Sequence, residues 1–352
     1  MSGSFKNLGK VIRQCCQTRY LIGVAIILLC AILPFLLDRP DERYSQIRTF
    51  PMMGTVGRIT LYSDRENQTE PALDQAQKKI AEIEKICNIF DPESELSRLN
   101  RSAARQEFSC SPLLWEMLCA ADHYFKFSGG CYDPTVQPLM QLWGFRSKRK
   151  SLPSAAEIAG ALKKVGWDKV KLDPEKRTVR FLADGIGIDF GGIAKGFALD
   201  KVKEILQRHG IRLAVLDFGG NIGCIMPEKH DPCRIGIQDP EIPGELVHTV
   251  EMRSRCAATS GSYERFVIIN GKQYSHIMDP RTGKPVSGML SVTVVTPRGT
   301  DSDALSTAIF VKGEKFAEEV CRKLPDTGVF LIRRPPGKES GREILRFGSL
   351  AR

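Results

Sequence analysis

The sequence predicts an α+β fold, a single compact domain with room for two lobes, lying behind one apolar segment near its start. Three observations carry this. Apolar residues recur at helical spacing in some stretches and alternate in others, and no internal repeat relates the stretches. The 352 residues are 42% hydrophobic and 26% charged, a globular composition that excludes a wholly disordered, collagenous or disulfide-knot protein. Residues 21–37, LIGVAIILLCAILPFLL, carry no charge and are closed by Asp38 and Arg39. As a helix that run reaches roughly 26 Å, the short end of what crosses a hydrocarbon core.

Lys6, Lys10, Arg13 and Arg19 precede the run with no acid among them, so residues 1–20 are expected to stay cytoplasmic and everything after Asp38 to lie on the far side. No A-x-A-like site follows, which favours an uncleaved anchor over its rival, a signal peptide. Bulky Leu29 before Cys30 argues against lipidation there. The expected organisation is a basic segment (1–20), an anchor or signal (21–37), a linker (38–50), a catalytic domain (51–334) and a disordered basic tail (335–352).

The formal charge of +10 invites a nucleic-acid reading. Its distribution removes it. Residues 1–20 hold +4 and residues 333–352 another +4, leaving +2 for the body between, too little for phosphate-backbone binding. Of 11 cysteines, none of the eight beyond the apolar run forms a C-x-x-C pair, so neither a zinc site nor a thioredoxin-type centre is suggested.

Along the body, Val56–Tyr62 reads as a strand. Leu73, Ala76, Ile80, Ile83 and Ile86 mark an amphipathic helix, and Pro112–Phe127 a second. Ser154 and Glu157 form a capping box opening a third. KVKLDPEKRTVRFL reads as a hairpin, GIDFGGIAKGFALDKVKEILQRHG as a glycine-punctuated helix start, and LAVLDFGGN as a strand. Asn270-Gly271 signals a tight hairpin. Asp303 is expected to open the helix DALSTAIFVKG, before a last helix (314–324) and strand (328–333).

Several short clusters offer chemistry. Asp303 and Thr307 stand one helical turn apart and so share a face that suits a hard cation such as Mg2+. Thr300 with Asp303 reads equally as a capping box, and spacing alone favours the cap. In IDFGGIAKG, glycines precede a helix with Lys195 in its first turn, either a phosphate site or an ordinary strand-to-helix turn. HIMDPRTGKPV offers His276 as a base with Asp279 to orient it or bind metal, or simply a turn. GGCYDPTVQPL offers Asp133 and Thr135, again with a turn as the alternative. Walker A and G-x-G-x-x-G motifs are absent.

Together and in this order, MGT at Met53, SELSRLN (94–100), YDPTVQPLMQLWGF, DFGGIAKG, TSGSYERF, HIMDPRTGKPV and DALST resemble the ApbE family, the FAD:protein FMN transferases, from about Met52 to Gly313. The resemblance implies a T-fold-like α+β catalytic domain and a Mg2+-dependent enzyme. Such an enzyme splits FAD, moves FMN onto a Thr or Ser hydroxyl of an acceptor flavoprotein and releases AMP. By position it implies Asp303, Thr307 and the Gly192 carbonyl as metal ligands, reversing the preference for the cap. Met53, Phe90, Tyr132, Asp133, Pro134, Asp189, Lys195, His276 and Ile277 match positions lining the FAD site, with His276 and Asp303 catalytic and the glycines at 191 and 192 holding phosphates. Phe90 stands where Tyr is usual, which keeps stacking and drops a phenol. Implied partners are flavin-carrying subunits of the sodium-pumping NADH:quinone reductase or Rnf type, or FMN-binding domains. The apolar run then places the catalytic domain on the periplasmic side of a bacterial inner membrane, single-pass. Two rivals remain: an FAD pyrophosphatase yielding FMN and AMP, and a non-catalytic flavin carrier.

Overall fold

The computed structural model describes residues 44–146, 149–338 and 340–351. The expected anchor and basic leader lie outside them, and among the described residues no helix is long and apolar enough to cross a membrane.

An eight-stranded antiparallel sheet forms the centre. Its order across the sheet is β1 (Tyr44–Met52), β2 (Thr55–Ser63), β6 (Leu213–Phe218), β7 (Asn221–Ile225), β10 (Cys256–Gly261), β15 (Met289–Thr296), β16 (Gly328–Arg333) and β17 (Glu343–Gly348). One face packs on helices α1 (Glu66–Cys87), α6 (Ala194–Arg208), α7 (Gly299–Lys312) and α8 (Glu314–Lys323). The other is covered by the ribbon β8 (Cys233–Gln238) and β9 (Leu246–Met252). Central strands are therefore apolar on both sides: in β16, Val329 and Leu331 enter the helical core while Phe330 and Ile332 meet the ribbon. Burial on two faces explains why this strand reads as a continuous apolar run instead of alternating.

The long connection between β2 and β6 carries a second lobe. It comprises α2 (Glu95–Ser102), the three-stranded sheet of β3 (Phe108–Ser109), β4 (Val170–Asp173) and β5 (Thr178–Phe181), α3 (Pro112–Ser128), α4 (Gln137–Leu142) and α5 (Ala155–Leu162). Between β10 and β15 lie two ribbons, β11 (Phe266–Ile269) with β12 (Lys272–Ser275), and β13 (Met278–Asp279) with β14 (Lys284–Pro285). Trp143, Ile158, Ile269 and Met278 share a separate small core that ties these ribbons to α4 and α5.

The capping box at Ser154 and Glu157 is formed, and the hairpin turn at Asn270 and Gly271 has φ of 52° and 76°. Three expectations are corrected. Residues 44–50 are not linker but most of β1, whose polar side chains leave only Phe50 and Met52 buried and so give a weak apolar signal. The tail is not disordered, because β17 pairs with β16 and packs Leu345 and Phe347 against the core. Basic residues from 333 onward are engaged: Arg333 pairs with Glu314 and Glu343, Arg334 with Glu241, Arg342 with Asp239, and Arg346 lies over Phe330. The third correction concerns the start of α7. It opens at Gly299, so Asp303 is in its second turn and cannot cap it.

Candidate active site

Helices α6 and α7 cross with no room for side chains between Gly196 and Gly299. A Cβ at Gly196 would lie 2.1 Å from the Gly299 carbonyl oxygen, and one at Gly299 would lie 2.5 Å from that of Gly196. At this crossing each helix caps the other. Asp200 of α6 accepts from the Gly299 and Thr300 N–H groups (2.6 and 2.9 Å) and from the Thr300 hydroxyl, while Asp303 of α7 accepts from the Gly196 N–H at 2.9 Å through Oδ2. Thr300 and Asp303 thus do not form the capping box their spacing suggests, because both are committed to the neighbouring helix.

This arrangement leaves Asp303, only 4% exposed, with Oδ1 outside any hydrogen bond among the described residues. Thr307 Oγ1 is held by two long contacts of 3.4 Å, to the Asp303 carbonyl and Ser260 Oγ. The Gly192 backbone approaches it so closely that a Cβ there would stand 3.0 Å from Thr307 Oγ1 and 3.4 Å from the Tyr132 ring. The Tyr132 hydroxyl is buried without a hydrogen-bond partner among the described residues, and burial with Asp303, Asp189 and Asp133 nearby keeps it protonated. A carboxylate oxygen, a weakly held hydroxyl and a close backbone segment form a hard-oxygen donor set, which fits Mg2+. Among the described residues no three His, Cys, Asp or Glu side chains cluster.

Beside it, Lys195, half-buried in the first turn of α6, acts electrostatically on both Glu264 and His276. His276, just after β12, sets Nδ1 3.0 Å from the Arg265 carbonyl. That carbonyl can only accept, so Nδ1 carries the proton and Nε2 keeps its lone pair. Protein crowding and the charges of Arg265 and Lys195 lower the imidazole pKa to about 4. Asp279 does not orient it, being occupied by Arg281 through both carboxylate oxygens at 2.9 Å.

Glu264, in the TSGSYERF cluster, was assigned no role from sequence. Its side chain is open to solvent on one side yet sits in the cleft, where desolvation and Asp303 raise its pKa to about 7 against the opposing charge of Lys195. A raised acid pKa weakens folding above the unfolded value and is neutral below it. Glu264→Gln is therefore expected to raise the melting temperature at pH 8 and leave it unchanged at pH 4, read by thermal melts across that range. An equal shift at both pH values would exclude the ionised carboxylate as the cause.

The loop before α6 presents Asp189. Its Oδ1 takes the Gly191 N–H (2.8 Å) and its Oδ2 faces Arg146 Nη2 (3.4 Å), whose guanidinium lies over the 66% exposed Phe90 ring. The loop is pinned by Asn100, bonded to both backbone groups of Ile188, and by the Pro134 carbonyl, which accepts from Asp189 N. SELSRLN thereby acts through its last residue. The N–H groups of Gly191, Ile193, Ala194 and Gly196 are all already taken inside the protein, so this turn offers phosphates fewer backbone donors than expected, and Lys195 brings positive charge to it.

Met53, at φ 45° in the β1–β2 turn, donates its N–H to Glu84 at 2.9 Å. Desolvation, with Asp189 and Glu84 adding to it, pushes the half-buried Cys87 thiol up to about 12, which sets this turn beside the Asp189 loop. Asp133, Pro134 and Ile277 are buried in the framework. The Asp133 carboxylate accepts from Thr135 N and Oγ1 and from Trp167 N, and the Ile277 side chain belongs to the main core. Asp303, Thr307, Gly192 and Tyr132 form one group, Lys195, Glu264 and His276 another, and Asp189, Arg146 and Phe90 a third at the rim.

A mixed α/β domain with these groups at the end of a helix crossing defines a class, and comparison with known proteins identifies it. Residues 53–331 match the ApbE family model. The chain belongs to the ApbE family. It is 30% identical over 328 residues to the FAD:protein FMN transferase of Treponema pallidum, covering 88% of this chain and 90% of the relative, and 31% identical over 287 residues to that of Haemophilus influenzae (79% and 81%). Among solved structures it resembles the ApbE protein of Thermotoga maritima (TM-score 0.77, 29% identity, 85% of this chain and 96% of the other). It also resembles the flavin transferase ApbE of Vibrio cholerae (TM-score 0.76, 26% identity, 88% and 98%).

Proposed function

We propose that this protein is an FAD:protein FMN transferase, moving FMN from FAD to a Thr or Ser hydroxyl of an acceptor flavoprotein with release of AMP. The observation that carries this is a neutral His276 with a free Nε2 in the same cleft as Lys195 and the Asp303–Thr307 pair. The acceptor hydroxyl oxygen attacks the phosphorus on the FMN side of the pyrophosphate, the bond to AMP breaks, and the hydroxyl proton passes to His276 Nε2. Lys195 supplies positive charge where the pyrophosphate lies, and the Arg265 carbonyl fixes the imidazole tautomer. Asp303, Thr307 and the Gly192 carbonyl would hold Mg2+, which supplies charge neutralisation of the phosphates. Phe90, with one ring face against Arg146, offers the other for stacking at the cleft rim.

In this reading residues 21–37 anchor the chain in a bacterial inner membrane with the catalytic domain on the periplasmic side, supported by the uncharged run and the basic residues before it. The acceptors are flavin-carrying subunits of the sodium-pumping NADH:quinone reductase or Rnf type, or FMN-binding domains. The test is incubation with FAD and Mg2+, with and without an acceptor domain, followed by mass spectrometry. FMN covalently on the acceptor is expected; free FMN and AMP alone would identify a pyrophosphatase, and bound flavin without turnover a carrier.

A further inference from the structure

The ribbon that delivers His276 has one face and one edge that nothing among the described residues covers. Val267, Ile269 and Tyr274 pack against α4 and α5, with the Tyr274 ring 5.4 Å from Trp143. On the opposite face Phe266 and Ile268 are 44% and 64% exposed. The ladder register makes this an edge as well. His276 N bonds the Arg265 carbonyl at 3.0 Å, so the hydrogen-bonded pairs are 265 with 276, 267 with 274 and 269 with 272. The backbone N–H and C=O groups of Phe266 and Ile268 therefore point away from β12, and among the described residues no third strand joins this ribbon. An exposed apolar edge is a template for another chain.

We infer that the edge of β11 receives the acceptor polypeptide as an added strand, its apolar side chains on Phe266 and Ile268 and its hydroxyl residue delivered to His276. The inference rests on the transferase reading. Its geometric basis is reach. Arg265 and His276 form the open end of the ribbon, and an extended chain advances about 3.3 Å per residue. His276 Nδ1 lies on the carbonyl of Arg265, the residue before Phe266, so an acceptor whose hydroxyl reaches this imidazole has its neighbouring residues within an extended chain's reach of Phe266 and Ile268. A small substrate such as FAD alone has no use for this edge, whereas a protein acceptor must be held near it for as long as the chemistry takes.

Proline at 268 separates edge from fold, because the Ile268 N–H is outside the ladder and its loss costs no internal hydrogen bond. Ile268→Pro, and independently the double variant Phe266→Ser/Ile268→Ser, are assayed for FMN transfer to a purified FMN-binding acceptor domain of the sodium-pumping reductase type. FAD binding is followed by quenching of flavin fluorescence. The expected result is a kcat/KM for transfer about tenfold lower, through a raised KM for the acceptor, with FAD affinity unchanged. Transfer at the wild-type kcat/KM in both variants would overturn the docking inference and leave the transferase reading standing. A wild-type protein that binds FAD but never labels the acceptor would overturn the transferase reading and the inference with it.

Discussion

Replacing Asp303 by alanine is expected to remove FAD turnover, lowering the rate about 10³-fold or more, and also to destabilise the protein by about 1 kcal/mol. The two effects have separate causes in one side chain. Oδ2 caps α6 by accepting from Gly196 N, a buried donor that alanine would leave unpaired. Oδ1 makes no hydrogen bond among the described residues and, in the proposed reaction, is the oxygen that would face a cation on the pyrophosphate. Asp303→Asn separates them, since its amide oxygen still accepts from Gly196 N while the NH2 group turns a donor toward the metal position. The asparagine variant should melt near the wild type yet be as inactive as alanine, and neither should be restored by Mg2+ at concentrations that saturate the wild type. Thermal melts and FAD turnover of the three proteins decide it. Substantial activity in Asp303→Asn would show that the cap, not the charge, is what the reaction needs.

The same residue shows where sequence stops being informative. Its i,i+4 relation to Thr307 is local, and the shared helix face is legible from it. Its hydrogen-bond partner lies 107 positions away on another helix, and no local pattern reports a cap donated in trans. The elements with a strong apolar pattern, from the helical period of α1 to the unbroken apolar run of β16, were legible because burial imposes the pattern. β1 and β17 were not, since each is an outer strand of the sheet and buries few side chains. The site divides similarly. Motif order brought Asp303, Thr307, Lys195 and His276 to attention. Glu264 was missed because a carboxylate in a serine- and glycine-rich segment has no spacing signature, and only the cleft placing it near Lys195 and Asp303 marks it. Asp133 is the converse case: an acid beside Pro134 in a strong motif whose carboxylate, invisibly to the sequence, accepts from Thr135 and from the distant Trp167. Arg146 and Asn100, which fix the Asp189 loop, are recognisable only once α4 and α2 are seen against that loop.

Substituting His276 by glutamine should lower kcat for transfer by about 10²–10⁴-fold while leaving FAD affinity close to the wild type, the signature of a lost proton acceptor rather than a lost binding contact. Glutamine keeps a side chain of similar length and polarity but has no basic nitrogen. The wild-type pH profile carries the more discriminating information. An ordinary histidine titrates near 6.5, and transfer depending on its neutral form would fall below that pH. In this cleft desolvation and the charges of Arg265 and Lys195 lower the value to about 4, so Nε2 remains unprotonated through the mildly acidic range. Glu264, with a pKa of about 7, is the group that can imprint a limb near neutrality. The expected result is that Glu264→Gln loses any limb near pH 7 and shows transfer independent of pH from about 5.5 to 8, with the histidine limb appearing only below 5. An acid limb that stays near 6.5 in that variant would mean His276 is not held in its neutral form by the cleft, and the role of Arg265 and Lys195 in setting its charge would fall.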